Sequence, residues 1–397
     1  MLETARSTTH THALHVTAFM LIVLLSLIAA CSAHAEDFAT QAKYAIVMDS
    51  RSGKVLYEKG ADDLVAPASM SKVMTMLMVF EKLNGQSGGL KMTDEFRISE
   101  YAWRTGGAPS GSSTMYAILD SKVAVSDLIQ GVIVQSGNDA AIALAEGIAG
   151  SEQRFAEDMT KRARELGLEK SVFKNATGLP AEGHVSTMRE LASLARYLIE
   201  VFPQYYKYYS QPEFTWNNIT QQNRNPLLGS YRGADGVKTG YIKDAGYGLI
   251  GSSERDGRRL IAVISGLDTK RQRSQEAEKL LDFGFRQFRP IRLYAAGDTI
   301  GQARVWGGEE STVRLITRED IMTLLSDDER ATAEAQLVYK GPLRAPVRAG
   351  DEIGYVKISS DGKLVSKAPV YTKESVAETD SMWRRALNSA LFMVFGG

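Results

Sequence analysis

The spacing of apolar residues divides the chain into stretches of two kinds. Tyr44–Asp49, a Ser-Arg-Ser-Gly turn and residues 54–59 alternate as an antiparallel hairpin does. Behind Pro67, the residues Val73, Met74, Leu77, Met78 and Phe80 recur at helical spacing, which predicts a buried helix with Ser69 in its first turn. Residues 125–134 and 140–149 predict two more helices, separated by Gln135-Ser136-Gly137-Asn138-Asp139. From 154 to 202 helical runs alternate with turns, one of them Asn175-Ala176-Thr177-Gly178. Residues 236–241, 246–252 and 259–266 read as strands with glycines where a ligand could approach the backbone, and 276–285 as a closing helix.

Around Arg289-Pro290 the texture changes. Short β-type runs at 303–306, 312–316, 335–339, 353–358 and 363–370 predict a small all-β domain. The segment 101–116, with Trp103, three glycines and Pro109, fits either an ordinary surface loop or the rim of a site. At the carboxyl end Trp383, Leu387, Ala390, Leu391 and Val394 share one helical face. That stretch is too short to span a bilayer and suits either a helix in a membrane interface or one packed on the core.

Composition narrows the function. The 397 residues are 44% hydrophobic and carry 47 basic and 47 acidic side chains, so no basic field exists to hold nucleic acid. Arg6, an apolar run over 16–30 and Ala33-His34-Ala35 read as an export signal removed before Glu36. Ile28-Ala29-Ala30-Cys31 also fits a lipoprotein processing site, which would leave a lipid on Cys31. Cleavage at 35 removes the single cysteine and four of five histidines, leaving His184. The mature chain then has no thiol nucleophile and no Cys/His metal cluster, and nothing in it calls for a metal or a cofactor.

A serine acting here needs a base, and lysine is the available one. In Ser69-Met70-Ser71-Lys72 one helical turn brings the two side chains onto one face, and burial of Lys72 would lower its pKa toward that of a useful base. Ser171…Lys174 and Ser360…Lys363 share the spacing, but the first runs into a turn and the second spans a hairpin turn at Asp361-Gly362.

Ser69-x-x-Lys72, Ser136-Gly137-Asn138 and Lys238-Thr239-Gly240 follow one another in that order, the signature of penicillin-binding proteins and class A β-lactamases. The whole mature chain resembles the low-molecular-mass penicillin-binding proteins that are serine D-alanyl-D-alanine carboxypeptidases. The resemblance implies an α+β architecture: a transpeptidase/β-lactamase-like domain (36–288), a β-sandwich domain (289–374) and an amphipathic anchor helix (375–397). It implies Ser69 as nucleophile on the D-Ala-D-Ala bond of a peptidoglycan pentapeptide, Lys72 as general base and Ser136 as proton relay. Asn138, Lys238, Thr239, Gly240 and Arg273 would bind substrate, and the backbone N–H groups of Ser69 and Tyr241 would form the oxyanion hole. β-Lactams would be covalent inhibitors, and the enzyme would sit in the periplasm against the outer face of the inner membrane. A class A β-lactamase would need a Glu-x-x-Leu-Asn loop that is missing between Asn138 and Lys238. A D,D-endopeptidase and a catalytically silent peptidoglycan-binding scaffold are the other readings.

Overall fold

The computed structural model describes residues 38–85, 89–380 and 383. The export signal, Cys31 and, apart from Trp383, residues 381–397 lie outside them. The helix expected over 375–397 is corrected at its start, where Val376 and Glu378 form β-bridges with Val347 and Gly308 and Val376 enters the core of the second domain.

The hairpin forms as expected from β1 (Tyr44–Asp49) and β2 (Val55–Lys59). Four short strands pair off by themselves, β3 (Glu95–Arg97) with β4 (Lys122–Ala124) and β5 (Glu213–Trp216) with β6 (Ile219–Gln222). The hairpin joins β7 (Ala234–Ile242), β8 (Gly246–Arg255) and β9 (Arg258–Leu267) in one antiparallel sheet of order β2-β1-β9-β8-β7. The interior strands are apolar on both faces, so each face must be covered. Ile46, Met48, Ile261 and Val263 enter the main core with the helices, while Val47 and Leu260 on the alternate face meet α8 (Lys270–Gln287) beside Gly284. Strand β7 is an edge, and its free side borders the site.

On the other side of the sheet α1 (Lys72–Leu83) runs through the helical layer, buried at almost every position, as its lack of a polar stripe requires. Around it pack α3 (Val125–Gln135), α4 (Asn138–Ala149), α5 (Glu152–Glu165) and α6 (Met188–Val201), the last followed by the one-turn α7 (Pro203–Tyr206). The segment read as one loop over 101–116 starts as a helix, α2 (Glu100–Gly106), capped by the Ser99 hydroxyl accepting from Ala102 N–H. Its glycines answer to close packing and not only to a loop. Gly106 is there because a Cβ would stand 2.3 Å from the Asp139 backbone nitrogen, so this glycine serves helix packing.

The second domain is β-rich, with a separate core of residues such as Ala303, Leu315, Val356 and Val370. It contains a two-stranded pair, Phe288–Tyr294 with Ile321–Ser326, and a six-stranded sheet. The expectation of strands alone is corrected by a one-turn helix, Asp327–Ala331, closed by a capping box between Ser326 and Glu329. Glu329 also bridges the domains. Lys54, in the β1–β2 connection, donates to both its carboxylate oxygens at 2.7 and 2.8 Å and to the Leu324 carbonyl at 2.7 Å.

Candidate active site

Ser69 lies in a 3-10 turn, Ala68–Ser71, and the α-helix begins only at Lys72, so Ser69 precedes the helix instead of lying in its first turn as the spacing predicts. The tighter winding has local causes. The Ser71 hydroxyl donates to the Ala68 carbonyl at 2.8 Å, and Ala68 itself has φ +49°, a conformation alanine seldom takes. Ser69 is half-buried at the cleft and Lys72 is wholly buried beneath it.

The Lys72 amine has three oxygen partners: Ser69 Oγ at 3.0 Å, Asn138 Oδ1 at 2.6 Å and the Thr177 carbonyl at 2.5 Å. Burial lowers its pKa from 10.5 to about 7, helped by the positive Arg224 and opposed by Glu152 and Asp139. Of the three oxygens only Ser69 Oγ carries a hydrogen it can give away. A neutral amine has two N–H groups and one lone pair, so the two amide oxygens take the hydrogens and the lone pair faces the serine hydroxyl.

Ser136 and Asn138 come from the reversal between α3 and α4. Ser136 is left-handed at φ +62°, and its buried hydroxyl finds no hydrogen-bond partner among the described residues. Asn138 bridges the cleft, accepting from Lys72 and donating to Ser112 Oγ at 2.9 Å. The neighbouring Asp139 fixes the chain beyond Ser112, accepting from Thr114 Oγ1 (2.6 Å), Met115 N–H (3.0 Å) and Ala117 N–H (3.1 Å). Of the two readings for this segment, the rim is the one seen.

Strand β7 supplies the opposite wall. A Cβ on Gly240 would meet the Pro67 carbonyl at 3.0 Å and the Ala68 Cβ at 3.3 Å, so the glycine lets the strand lie against the Ser69 turn. Lys238 and Thr239 are buried, whereas the Tyr241 ring is half exposed and stacks on Tyr247 at 4.2 Å. Arg273, from the first turns of α8, is buried over the same Tyr247 ring at 5.7 Å, and its Nε has no partner among the described residues. Lys238 is pushed well below the ordinary lysine pKa, first by burial and then by Lys72, Arg224 and Arg273. A pocket so rich in cations favours a carboxylate.

The other Ser-x-x-Lys spacings are inert. Ser171 Oγ is engaged with Ser186 Oγ at 2.8 Å and Glu190 Oε2 at 2.5 Å, and Ser360 Oγ with Thr332 Oγ1 at 2.7 Å. His184 is buried edge-on against Phe173, accepts from Lys174 N–H at 3.4 Å, and is held to a pKa of about 4 by burial and nearby lysines. It is a core side chain.

A family model described as D-alanyl-D-alanine carboxypeptidase matches residues 30–269. The chain belongs to this family. A second model, described as the C-terminal domain of penicillin-binding protein 5, matches residues 288–378. Among relatives of the family is DacF, a D-alanyl-D-alanine carboxypeptidase of Bacillus subtilis, 36% identical over 346 residues, which cover 86% of this chain and 87% of the relative. Penicillin-binding protein 5 of Haemophilus influenzae superposes with a TM-score of 0.74 at 35% identity, over 86% of this chain and 99% of that one. Penicillin-binding protein D2 of Listeria monocytogenes, solved in its cefotaxime-bound form, superposes at 0.57 with 32% identity, over 63% and 99%.

For this carboxypeptidase-family chain, the motif residues Ser69, Lys72, Asn138, Lys238 and Gly240 converge on one cleft, with Ser136 buried two residues before Asn138 and Arg273 close enough to act on Lys238. Sequence reasoning missed Thr177, Ser112 and Arg224. Thr177 contributes a main-chain carbonyl, which no residue type announces. Ser112 lies in the rim against Asn138, and the exposed Arg224 donates to the adjacent Ser113 Oγ at 2.8 Å.

Proposed function

We propose that the chain is a serine D-alanyl-D-alanine carboxypeptidase that removes the terminal D-alanine from peptidoglycan pentapeptides through an acyl-enzyme on Ser69. The observation that carries this reading is the set of partners around Lys72, which leaves the lone pair of a neutral amine facing the Ser69 hydroxyl. Lys72 takes the proton as Ser69 Oγ attacks the carbonyl between the two D-alanines. The C–N bond breaks, the leaving D-alanine amine collects a proton relayed by the unpartnered Ser136 hydroxyl, and water then hydrolyses the ester.

The remaining roles follow from position. Asn138 orients Lys72 and the substrate amide. Thr239, Lys238 and Arg273 receive the terminal carboxylate, which a guanidinium and an ammonium in a dry pocket bind well. Gly240 brings β7 close enough for the backbone N–H of Tyr241 to join that of Ser69 at the developing oxyanion. β-Lactams would acylate the same serine, in keeping with the cefotaxime-bound Listeria relative.

Export with cleavage before Glu36 and attachment to the outer face of the inner membrane by residues 381–397 complete the proposal, with the β-rich domain (289–374), read as a sandwich, as the spacer. Among the described residues no helix is long and apolar enough to cross a membrane. Deleting residues 381–397 and fractionating cells tests the anchor, and unchanged membrane association would remove it unless Cys31 proves to be lipidated.

The function itself is tested by incubating the purified protein with a fluorescent penicillin and with a peptide ending in D-Ala-D-Ala. Covalent labelling and free D-alanine are expected, both lost in Ser69→Ala. Labelling that survives the substitution overturns the nucleophile, and labelling without D-alanine release overturns the carboxypeptidase in favour of a scaffold or endopeptidase.

A further inference from the structure

Glu152 is a buried carboxylate that the proposed mechanism leaves without a task. It is 7% exposed at the start of α5, where the helix N-terminus favours negative charge. Oε1 accepts from Ala176 N–H at 2.9 Å and Oε2 from the Tyr101 hydroxyl at 2.8 Å. Both neighbours donate and Lys72 is close by, which favours the ionised carboxylate, while burial and the nearby Glu146 raise its pKa above the ordinary carboxylate value.

The other side of the Ala176 residue is held as well, its carbonyl accepting from Thr75 Oγ1 at 2.7 Å. The next carbonyl is that of Thr177, the 2.5 Å partner of the Lys72 amine. Asn175 Oδ1 completes the loop, accepting from Gly178 N–H at 2.7 Å and Thr177 Oγ1 at 3.0 Å. A main-chain carbonyl can be aimed only by fixing the peptides around it: Asn175 Oδ1 holds the N–H of the same peptide at Gly178, Thr75 holds the carbonyl before it, and Glu152 anchors the start of the loop at the Ala176 N–H.

We infer that Glu152 is a positioning residue for the Lys72 base, aiming the Thr177 carbonyl through the Ala176 N–H and adding its negative charge to the field at the amine. The inference rests on the reading of Lys72 as general base. Lys72 is faced by Arg224 and Lys238 from the cleft walls, by His184 from the loop preceding α6, and by the anions Glu152 and Asp139. Glu152 raises the affinity of Lys72 for a proton, opposing the burial and the cations that lower it.

The test is the second-order rate of acylation by a fluorescent penicillin, followed from about pH 5 to pH 9 in wild type, Glu152→Gln and Glu152→Ala, with Asp158→Asn on the exposed side of α5 as a charge control. Gln keeps an acceptor for Ala176 N–H and loses the charge, so its plateau rate should stay within about threefold of wild type while the acid limb moves to lower pH. Ala loses the acceptor too, and its plateau should fall roughly 10- to 100-fold, in the acylation step more than in affinity. An acid limb in Glu152→Gln that coincides with wild type and with the control overturns the inference, as does a full plateau in Glu152→Ala. Should the Ala variant fail to fold, the Gln limb decides alone. If instead Lys72→Ala acylates as fast as wild type, it is the reading of Lys72 that falls.

Discussion

A Cβ on Gly178 would stand 1.9 Å from the carbonyl oxygen of Ala68 and 2.6 Å from Ser71 Oγ. The loop that offers Thr177 to Lys72 therefore lies in contact with the turn that carries Ser69. Gly178 is also left-handed, at φ +78°, so a side chain there is opposed by both the backbone conformation and the space available. Gly178→Ala should cost about 2 kcal/mol or more and slow acylation together with it, because relief requires the two loops to part. Thermal melting and penicillin labelling check this. A variant that melts normally and labels at the wild-type rate would show that the contact is not needed.

The lowered pKa of Lys72 fixes the direction of the pH dependence. The folded value of about 7 lies below the ordinary 10.5, so the amine is half neutral near pH 7 and is lost as a base as pH falls further. Acylation should drop about tenfold per pH unit on the acid side of that value. A lysine of ordinary pKa would instead give a rate still climbing above pH 9 or so. The same shift makes folding more favourable as pH rises from about 7 to 10.5, since over that window the unfolded chain holds more protons than the folded one. Penicillin acylation and urea unfolding across that range check the two halves separately.

Ser136 should separate activity from stability. Its hydroxyl is buried with no partner among the described residues, so removing it breaks no hydrogen bond and relieves a desolvation cost. Ser136→Ala is expected to melt within a few degrees of wild type while turnover falls about 100-fold or more, the usual scale for a proton-transfer group. A large loss of stability with turnover intact would make the residue structural.

The parts of the site legible in the sequence are those whose chemistry belongs to a side chain in a readable context. Ser69 and Lys72 could be picked from three equal spacings because an apolar helix follows them, and Lys238-Thr239-Gly240 because it sits in a strand-like run. The Ser69 turn was read as α-helical because nothing in Pro67-Ala68 signals the left-handed Ala68, which the close approach of Gly178 and Gly240 accompanies. Thr177 and Glu152 were invisible for a different reason. One acts through a main-chain oxygen that meets a lysine 105 residues away, and the other through an N–H at the start of the same loop, 24 residues from it. In the β-rich domain the strands at 288–294 and 321–326 escaped notice because they pair with each other across an intervening hairpin.

The carboxylate pocket makes the last prediction, about proton uptake on binding. In the free enzyme Lys238 is held well below its ordinary pKa by burial and by Lys72, Arg224 and Arg273. A substrate carboxylate placed between Thr239 and Arg273 adds a negative charge to that pocket and raises the pKa again. Wherever the pH lies between the free and bound values, binding must draw in a proton, and affinity must therefore strengthen as pH falls through that window. Calorimetric titration of Ser69→Ala with a peptide ending in D-Ala-D-Ala, run at several pH values from about 6 to 10 in buffers of different ionisation enthalpy, measures the number of protons taken up. A positive number is expected, and Lys238→Met should abolish it. Binding with no proton exchange in the Ser69→Ala protein would mean that Lys238 is already charged at rest, and uptake that persists in Lys238→Met would assign the proton to Lys72 instead.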